Sequence, residues 1–383
     1  MDSSQEYDVV FLDFAKAFDR VPHSTLLALL QPLCNPTATT WFAGYLEARK
    51  LQVKVGEDLS PIAPISAGVP QGSHLGPILF LLYINTLPRS IPDGNRTETY
   101  LYADDTALGL SRPPAAAPQQ LQSAVNMVMD WAATFGGRFN AAKSVRVVFG
   151  KLDPAQTPAP ALRVDAADLC PSTTHRHLGI TLDPRLSFQT HINSVTSNFR
   201  RRVVLLSYMS PNLTPALIAR LYKGYVRPSI EYASPLWNNK LTAGNIDTLE
   251  RLQARVARQY LHRRKVPIPH GMENVFEAAE WESLAWRRHI HCLKLFYHFT
   301  RQYPETLNNL NIVLSKSARR PHFYLLPTHT GPCFRSTLLH SMITTWNSLP
   351  TEIRISETRG VFSRHVKSHF HRYRFHPRGF LTS

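Results

Sequence analysis

The stretch "TETYLYADDTALGLS", Thr97 to Ser111, sets two aspartates at the crest of an otherwise apolar run. Alternating residues enter as "TYLY" and leave as "TALGL", a pattern of two short strands around a turn at Asp104 and Asp105. Adjacent carboxylates beside a packed sheet repel each other and resist desolvation, so a cation belongs near them unless the turn is simply exposed. An isolated "ADD" leaves both readings open, because Asp is a common turn residue. The surrounding chain has to decide.

A length of 383 residues with 43% hydrophobic content reads as globular rather than disordered and allows two or three domains. Charge is divided unevenly along it. Residues 1–190 hold 15 Lys and Arg against 17 Asp and Glu, whereas residues 191–383 hold 28 against 10. The basic half suits a polyanion, and nucleic acid fits better than a membrane, since no lipid anchor or signal peptide is recognisable. The longest strongly apolar run, "PILFLLYI" (Pro77 to Ile84), is too short to span a bilayer. Cys34, Cys170, Cys292 and Cys333 are scattered without a CxxC pair, which fits a reducing compartment, nucleus or cytoplasm. Thirteen of the 17 histidines follow residue 190, but without metal-ligand spacing they read as parts of basic helix faces.

Upstream of the two aspartates, "YDVVFLD" reads as a strand ending at Asp13, with a helix after Pro22. "ATTWFAGYLEARK" reads as a short helix, and "LQVKVGEDLSPIAPI" as two extended runs around Gly56 to Asp58. "SAGVPQGSHLG" is a glycine- and proline-rich loop leading into a buried helix from about Pro77. Downstream come a linker "SRPPAAAPQQ", an amphipathic helix "LQSAVNMVMDWAATF" stopped by Gly136 and Gly137, and a strand "VRVVFG". A Pro/Ala linker "KLDPAQTPAPA" and a strand "HRHLGITLD" ending near Asp183 follow. No glycine-rich dinucleotide fingerprint accompanies this alternation, so the class is α+β. After residue 186 the pattern is mostly helical. "NIDTLERLQARVARQYL" sets Leu249, Leu252, Val256 and Tyr260 on one stripe and Arg251, Arg255 and Arg258 on another.

Three patterns thus stand in order: "FLDFAKAFD" (Phe11 to Asp19), "AGVPQGSHLGP" (Ala67 to Pro77) and "YADD" (Tyr102 to Asp105). Together they resemble motifs A, B and C of the reverse transcriptase palm, in the form carried by non-LTR (LINE-type, jockey-like) retrotransposons. "FNAAKSVRVVFG" resembles motif D and "HLGITLD" motif E, and the likeness continues through "RLYKGYVRPSIEYASPLWN" to "WNSLPTEIR".

The resemblance implies an antiparallel palm sheet with helices on one face, followed by a helical thumb and a C-terminal region. The expected divisions are 1–185 for the palm with a finger hairpin, 186–265 for a thumb-like region, and 266–383 for a basic region of unknown role. It implies an RNA-directed DNA polymerase that takes an RNA template, a DNA primer and dNTP, with two Mg2+ ions, or Mn2+ in their place. Asp13 and Asp104 become the metal ligands, joined by the backbone carbonyl of Phe14, and Asp105 sits beside them. Lys143 becomes the proton donor to the leaving pyrophosphate. Phe18 becomes the gate beneath the sugar, and Gln71 and Gly72 the contact to the incoming nucleotide. The family's fingers and endonuclease would precede Asp13, so the expectation is a partial copy that polymerises weakly alone, with those regions supplied elsewhere. The alternative is an inactive remnant that still binds nucleic acid.

Overall fold

The computed structural model describes residues 6–47, 49–92, 95–112, 117–150, 162–165, 167–317, 322–326 and 337–378. Two compact units divide the chain, Asp2–Leu186 and Ser187–Ser383.

The first unit is built on a four-stranded antiparallel sheet. Strands β1 (Glu6–Leu12), β2 (Glu98–Tyr102), β3 (Asp105–Arg112) and β4 (Val145–Phe149) lie in the order β2-β3-β1-β4. β1 is central and covered on both faces, which explains its unbroken run of buried residues from Asp8 to Leu12. Its register is fixed by Leu12 opposite Thr106 and Phe11 opposite Ala107 on β3, and by Val9 opposite Val147 on β4.

Val10, Leu12, Leu108 and Leu110 face helices α1 (His23–Leu30), α2 (Pro36–Leu46), α3 (Leu75–Ile84) and α4 (Ala117–Phe135) and share a core with Leu26, Phe80, Val125 and Trp131. The opposite face, Val9, Phe11, Ala107, Val147 and Phe149, forms a smaller cluster with Leu182 against it. All the helices of the unit's main core therefore lie on one side, as expected for an α+β palm.

Several local readings need correction. Helix α3 is only half buried: Leu79, Phe80, Tyr83 and Ile84 are in the core, while Ile78 is 62% and Leu81 52% exposed. An all-apolar run hides the helical periodicity that the single packed face imposes. "HRHLGITLD" is a hairpin, not one strand. β7 (His175–His177) returns as β8 (Ile180–Leu182) through Leu178 and Gly179, both at positive φ, the signature of a two-residue primed turn. An unforeseen hairpin, β5 (Leu162–Val164) with β6 (Ala167–Leu169), adds Leu162, Val164 and Leu169 to the main core. Of the first expected linker, Ser111 and Arg112 end β3 and Ala117 opens α4; residues 113–116, and 151–161 of the second linker, lie outside the described residues. Around Gly56 the extended runs pair only as two-residue ladders, Lys54–Val55 with Asp58–Leu59 and Lys50–Leu51 with Ala63–Pro64.

The second unit is mainly helical: α5 (Gln189–Met209), α6 (Ala243–Arg263), α7 (Leu284–Gln302), α8 (Leu338–Ser348) and α9 (Arg359–His369) are its longer members. Along α6, Leu249 and Val256 are fully buried and Arg251 and Arg255 exposed, as the two stripes require. Farther on, Trp286, Phe296, Trp346 and Phe362 centre an aromatic core, with Tyr297 stacked on Phe362 at 4.4 Å. Among the described residues no helix is long and apolar enough to cross a membrane.

Candidate active site at one end of the palm sheet

Strand β1 ends at Leu12, and the next residue is Asp13. Leu12 pairs with Thr106, and Asp104 lies two residues before Thr106 in the turn between β2 and β3. Two carboxylates 91 positions apart in sequence thus arrive at the same end of neighbouring strands. Leu12 and Phe14 both enter the core on the helical side, so strand alternation turns Asp13, between them, to the other face. Asp105, in step with Ala107, opens onto that same face. Ala103 takes a left-handed conformation (φ 52°) that closes the turn ahead of Asp104.

A second turn braces Asp13. The amide of Asn140 donates to the Asp13 carbonyl at 2.7 Å, and the Asp13 amide donates to Ser144 Oγ at 3.2 Å. Ser144 Oγ in turn donates to the Asn140 carbonyl at 2.9 Å. Phe14 bridges Phe139, yet the bridge uses only the Asp13 carbonyl and the Ala15 amide, the latter donating to Arg138 O at 2.8 Å. Among the described residues the Phe14 carbonyl accepts no hydrogen bond. Lys143 sits in this bracing turn with an exposed side chain. Asn140 and Ser144 were not singled out from sequence; their polarity in "FNAAKS" was the available signal.

The remaining expected residues gather around the glycine-rich loop. Phe18 is half-buried and stacks on Phe80 at 4.4 Å. Its carbonyl accepts from the Val69 amide at 2.7 Å, while Gln71 Nε2 donates to Asp19 Oδ1 at 2.9 Å. The loop is therefore laced to the segment following Asp13. Its glycines differ in role. A Cβ on Gly76 would stand 2.4 Å from the Pro70 carbonyl oxygen, so close packing excludes a side chain there. At Gly72 (φ +81°) a Cβ would meet nothing within 4 Å, so the backbone borders open space.

Sequence reading also passed over two imidazoles. His175 stacks on Phe11 at 4.2 Å and His177 lies tilted against it at 4.9 Å, on the face that Asp13 and Asp105 share. Burial, and then the neighbouring His177, push His175 down to about 4. Burial lowers His177 as well, and the Asp105 charge opposes that shift. Both rings are accordingly neutral near pH 7.

The donor set fits a hard divalent cation. Asp13, Asp104 and the Phe14 carbonyl offer oxygen only, and among the described residues the carboxylates of Asp13, Asp104 and Asp105 have no ion pair or hydrogen-bond donor. No group of three or more His, Cys, Asp or Glu suited to a metal occurs among the described residues. Two carboxylates are still enough for magnesium, which keeps several waters and takes substrate phosphate oxygens.

Residues 2–182 match the family model described as reverse transcriptase (RNA-dependent DNA polymerase). The chain carries a reverse transcriptase domain. It is 32% identical over 279 residues to the RNA-directed DNA polymerase from mobile element jockey of Drosophila melanogaster, a match covering 69% of this chain and 30% of that protein. The probable RNA-directed DNA polymerase from transposon X-element of the same species is 29% identical over 67% of this chain and 28% of its own length. The chain thus spans under a third of the length of the curated relatives it matches. A telomerase structure from Candida tropicalis with a telomeric RNA fragment is similar at 11% identity and a TM-score of 0.34, covering 73% of this chain and 49% of that one, too distant to carry structural detail.

Proposed function

We propose that this chain is the palm and thumb portion of an RNA-directed DNA polymerase of a non-LTR retrotransposon, joining dNTP to a primer 3′ end on an RNA template. One observation carries the reading: the Leu12–Thr106 register delivers Asp13 and Asp104 to the same sheet end, inside the matched domain. Asp13, Asp104 and the Phe14 carbonyl would hold two magnesium ions. When bound, the ions neutralise charge on the attacking and departing oxygens of an in-line displacement.

The chain's own residues do the rest. The Asn140 and Ser144 bonds hold the Asp13 backbone rigid, which fixes where its short side chain can reach. Gln71 and Gly72 line the approach of the nucleotide, and the Phe18 ring, held by Phe80, limits what fits beneath its sugar. Lys143 is an exposed cation placed to give a proton to pyrophosphate as it leaves. Residues 186–265 serve as thumb, with the exposed arginines of α6 on backbone phosphates.

The test is magnesium-dependent dTTP incorporation on poly(rA)/oligo(dT), by this chain and by this chain fused to the fingers segment of a relative. Incorporation that Asp104→Asn reduces by about 10²–10³-fold or more, with primer-template binding unchanged, supports the reading. Binding without incorporation in either form would favour an inactive nucleic-acid-binding remnant.

A further inference from the structure

In the second unit, α7 and α9 pack along one seam. Ile290, Leu293 and Tyr297 of α7 share a core with Phe362 and Val366 of α9, and Tyr297 lies flat on Phe362. Lys294 follows Leu293, Lys367 follows Val366, and Arg359 precedes Phe362 by one helical turn, so all three rim the seam. Arg359 and Lys367 are exposed, and Lys294 is half-buried.

Among the described residues none of these three cations makes an ion pair. Arg287, two turns before Lys294 on the same helix, shows the contrast. It is paired with both Glu231 and Glu282. Partial burial, then the positive charges of Lys367, Arg359 and Arg287, hold Lys294 below the usual lysine range, and no carboxylate counters them. Three like charges gathered on a packed seam cost stability unless an anion joins them.

We propose that the Lys294–Arg359–Lys367 rim binds backbone phosphates of single-stranded nucleic acid, giving residues 284–369 a template- or product-holding role. This rests on reading the chain as a nucleic-acid-binding protein, and extends the contact beyond the thumb arginines. Charge complementarity selects the occupant. A phosphate-spaced polyanion satisfies cations carried on two different helices at once, which a single small anion does not.

The experiment measures binding of fluorescent U20 RNA, and of the DNA counterpart, to the whole chain as salt is raised. Each phosphate contact on a single strand contributes about 0.7 to the slope of log K against log salt, so the Lys294→Gln, Arg359→Gln, Lys367→Gln triple variant should lose about 2. Lys294→Arg, Arg359→Lys, Lys367→Arg keeps the charges and should keep the slope. Lys367→Gln alone, on an exposed position, should lose about 0.7 and covers the case of a triple variant that does not fold. An RNA loss larger than the DNA loss assigns the rim to template, and the reverse to product. An unchanged slope in a folded triple variant would overturn the proposal, as would loss of binding to anionic phospholipid vesicles with oligonucleotide binding intact. Primer extension by the same preparations is read separately, so an inert palm and a silent rim give different results.

Discussion

The two units treat charge in the same way but with opposite outcomes. In the palm unit, a buried pair joins Asp8 of β1 to Arg146 of β4 through two hydrogen bonds, both side chains at 1% exposure or less. In the helical unit a chain of pairs runs Arg227, Glu231, Arg287, Glu282, Arg374. Among the described residues, two groups of like charge make no ion pair: Asp13, Asp104 and Asp105 in the first unit, and Lys294, Arg359 and Lys367 in the second. On the reading proposed above, the first group would take a cation and the second a polyanion.

Breaking the structural pairs should sharpen this contrast. Asp8→Ala leaves a guanidinium buried without its carboxylate and should destabilise the palm unit by about 3–5 kcal/mol in urea unfolding. Asp13→Asn, by comparison, should leave the midpoint nearly unchanged, because its carboxylate supports no fold contact.

The helical unit should respond to pH instead. Glu250 is fully buried, accepting from the amides of Leu284 at 3.2 Å and Ala285 at 2.7 Å, and burial lifts its carboxyl to about 7. The folded state thus holds a proton that the unfolded chain releases near pH 4.5. Stability from this group is fully present below pH 4.5 and is lost as pH rises through about 7. The change is on the order of 3 kcal/mol across that window, and Glu250→Gln should flatten it in thermal melts of the helical unit.

A smaller effect is expected at Gly76. A methyl group there pushes the Pro70 carbonyl away and should cost about 1–3 kcal/mol, while weakening nucleotide binding through the displaced Gln71 loop. Smallest of all, Arg163→Gln, which breaks a surface pair with Asp168, should change stability by about 1 kcal/mol or less.

Much of the palm was legible because its motifs are local. "YADD" with its flanking alternation gave the hairpin, and the valines and phenylalanine of "YDVVFLD" gave the central strand. The arrival of Asp13 and Asp104 at one end of the sheet was not legible from periodicity, since a register across 91 positions is set by the whole core; resemblance supplied it as an expectation. Asp8 and Arg146 could have been found without help. Each is a charge flanked by apolar residues inside a strand, and two opposite charges so placed are driven to pair. The Leu178–Gly179 turn escaped because leucine seldom takes positive φ, and the neighbouring apolar residues read as one strand. The basic rim was invisible in sequence, where Lys294 stands more than sixty residues from Arg359.

The central claim is that Asp13 and Asp104 share divalent cations, and iron-mediated hydroxyl-radical cleavage of the chain tests it without requiring polymerase activity. Fe2+ bound between them should cut the backbone near both residues, magnesium should suppress both cuts together, and Asp13→Asn should remove both. Cleavage near one residue alone, or two cuts that respond independently to magnesium and to Asp13→Asn, would contradict the account.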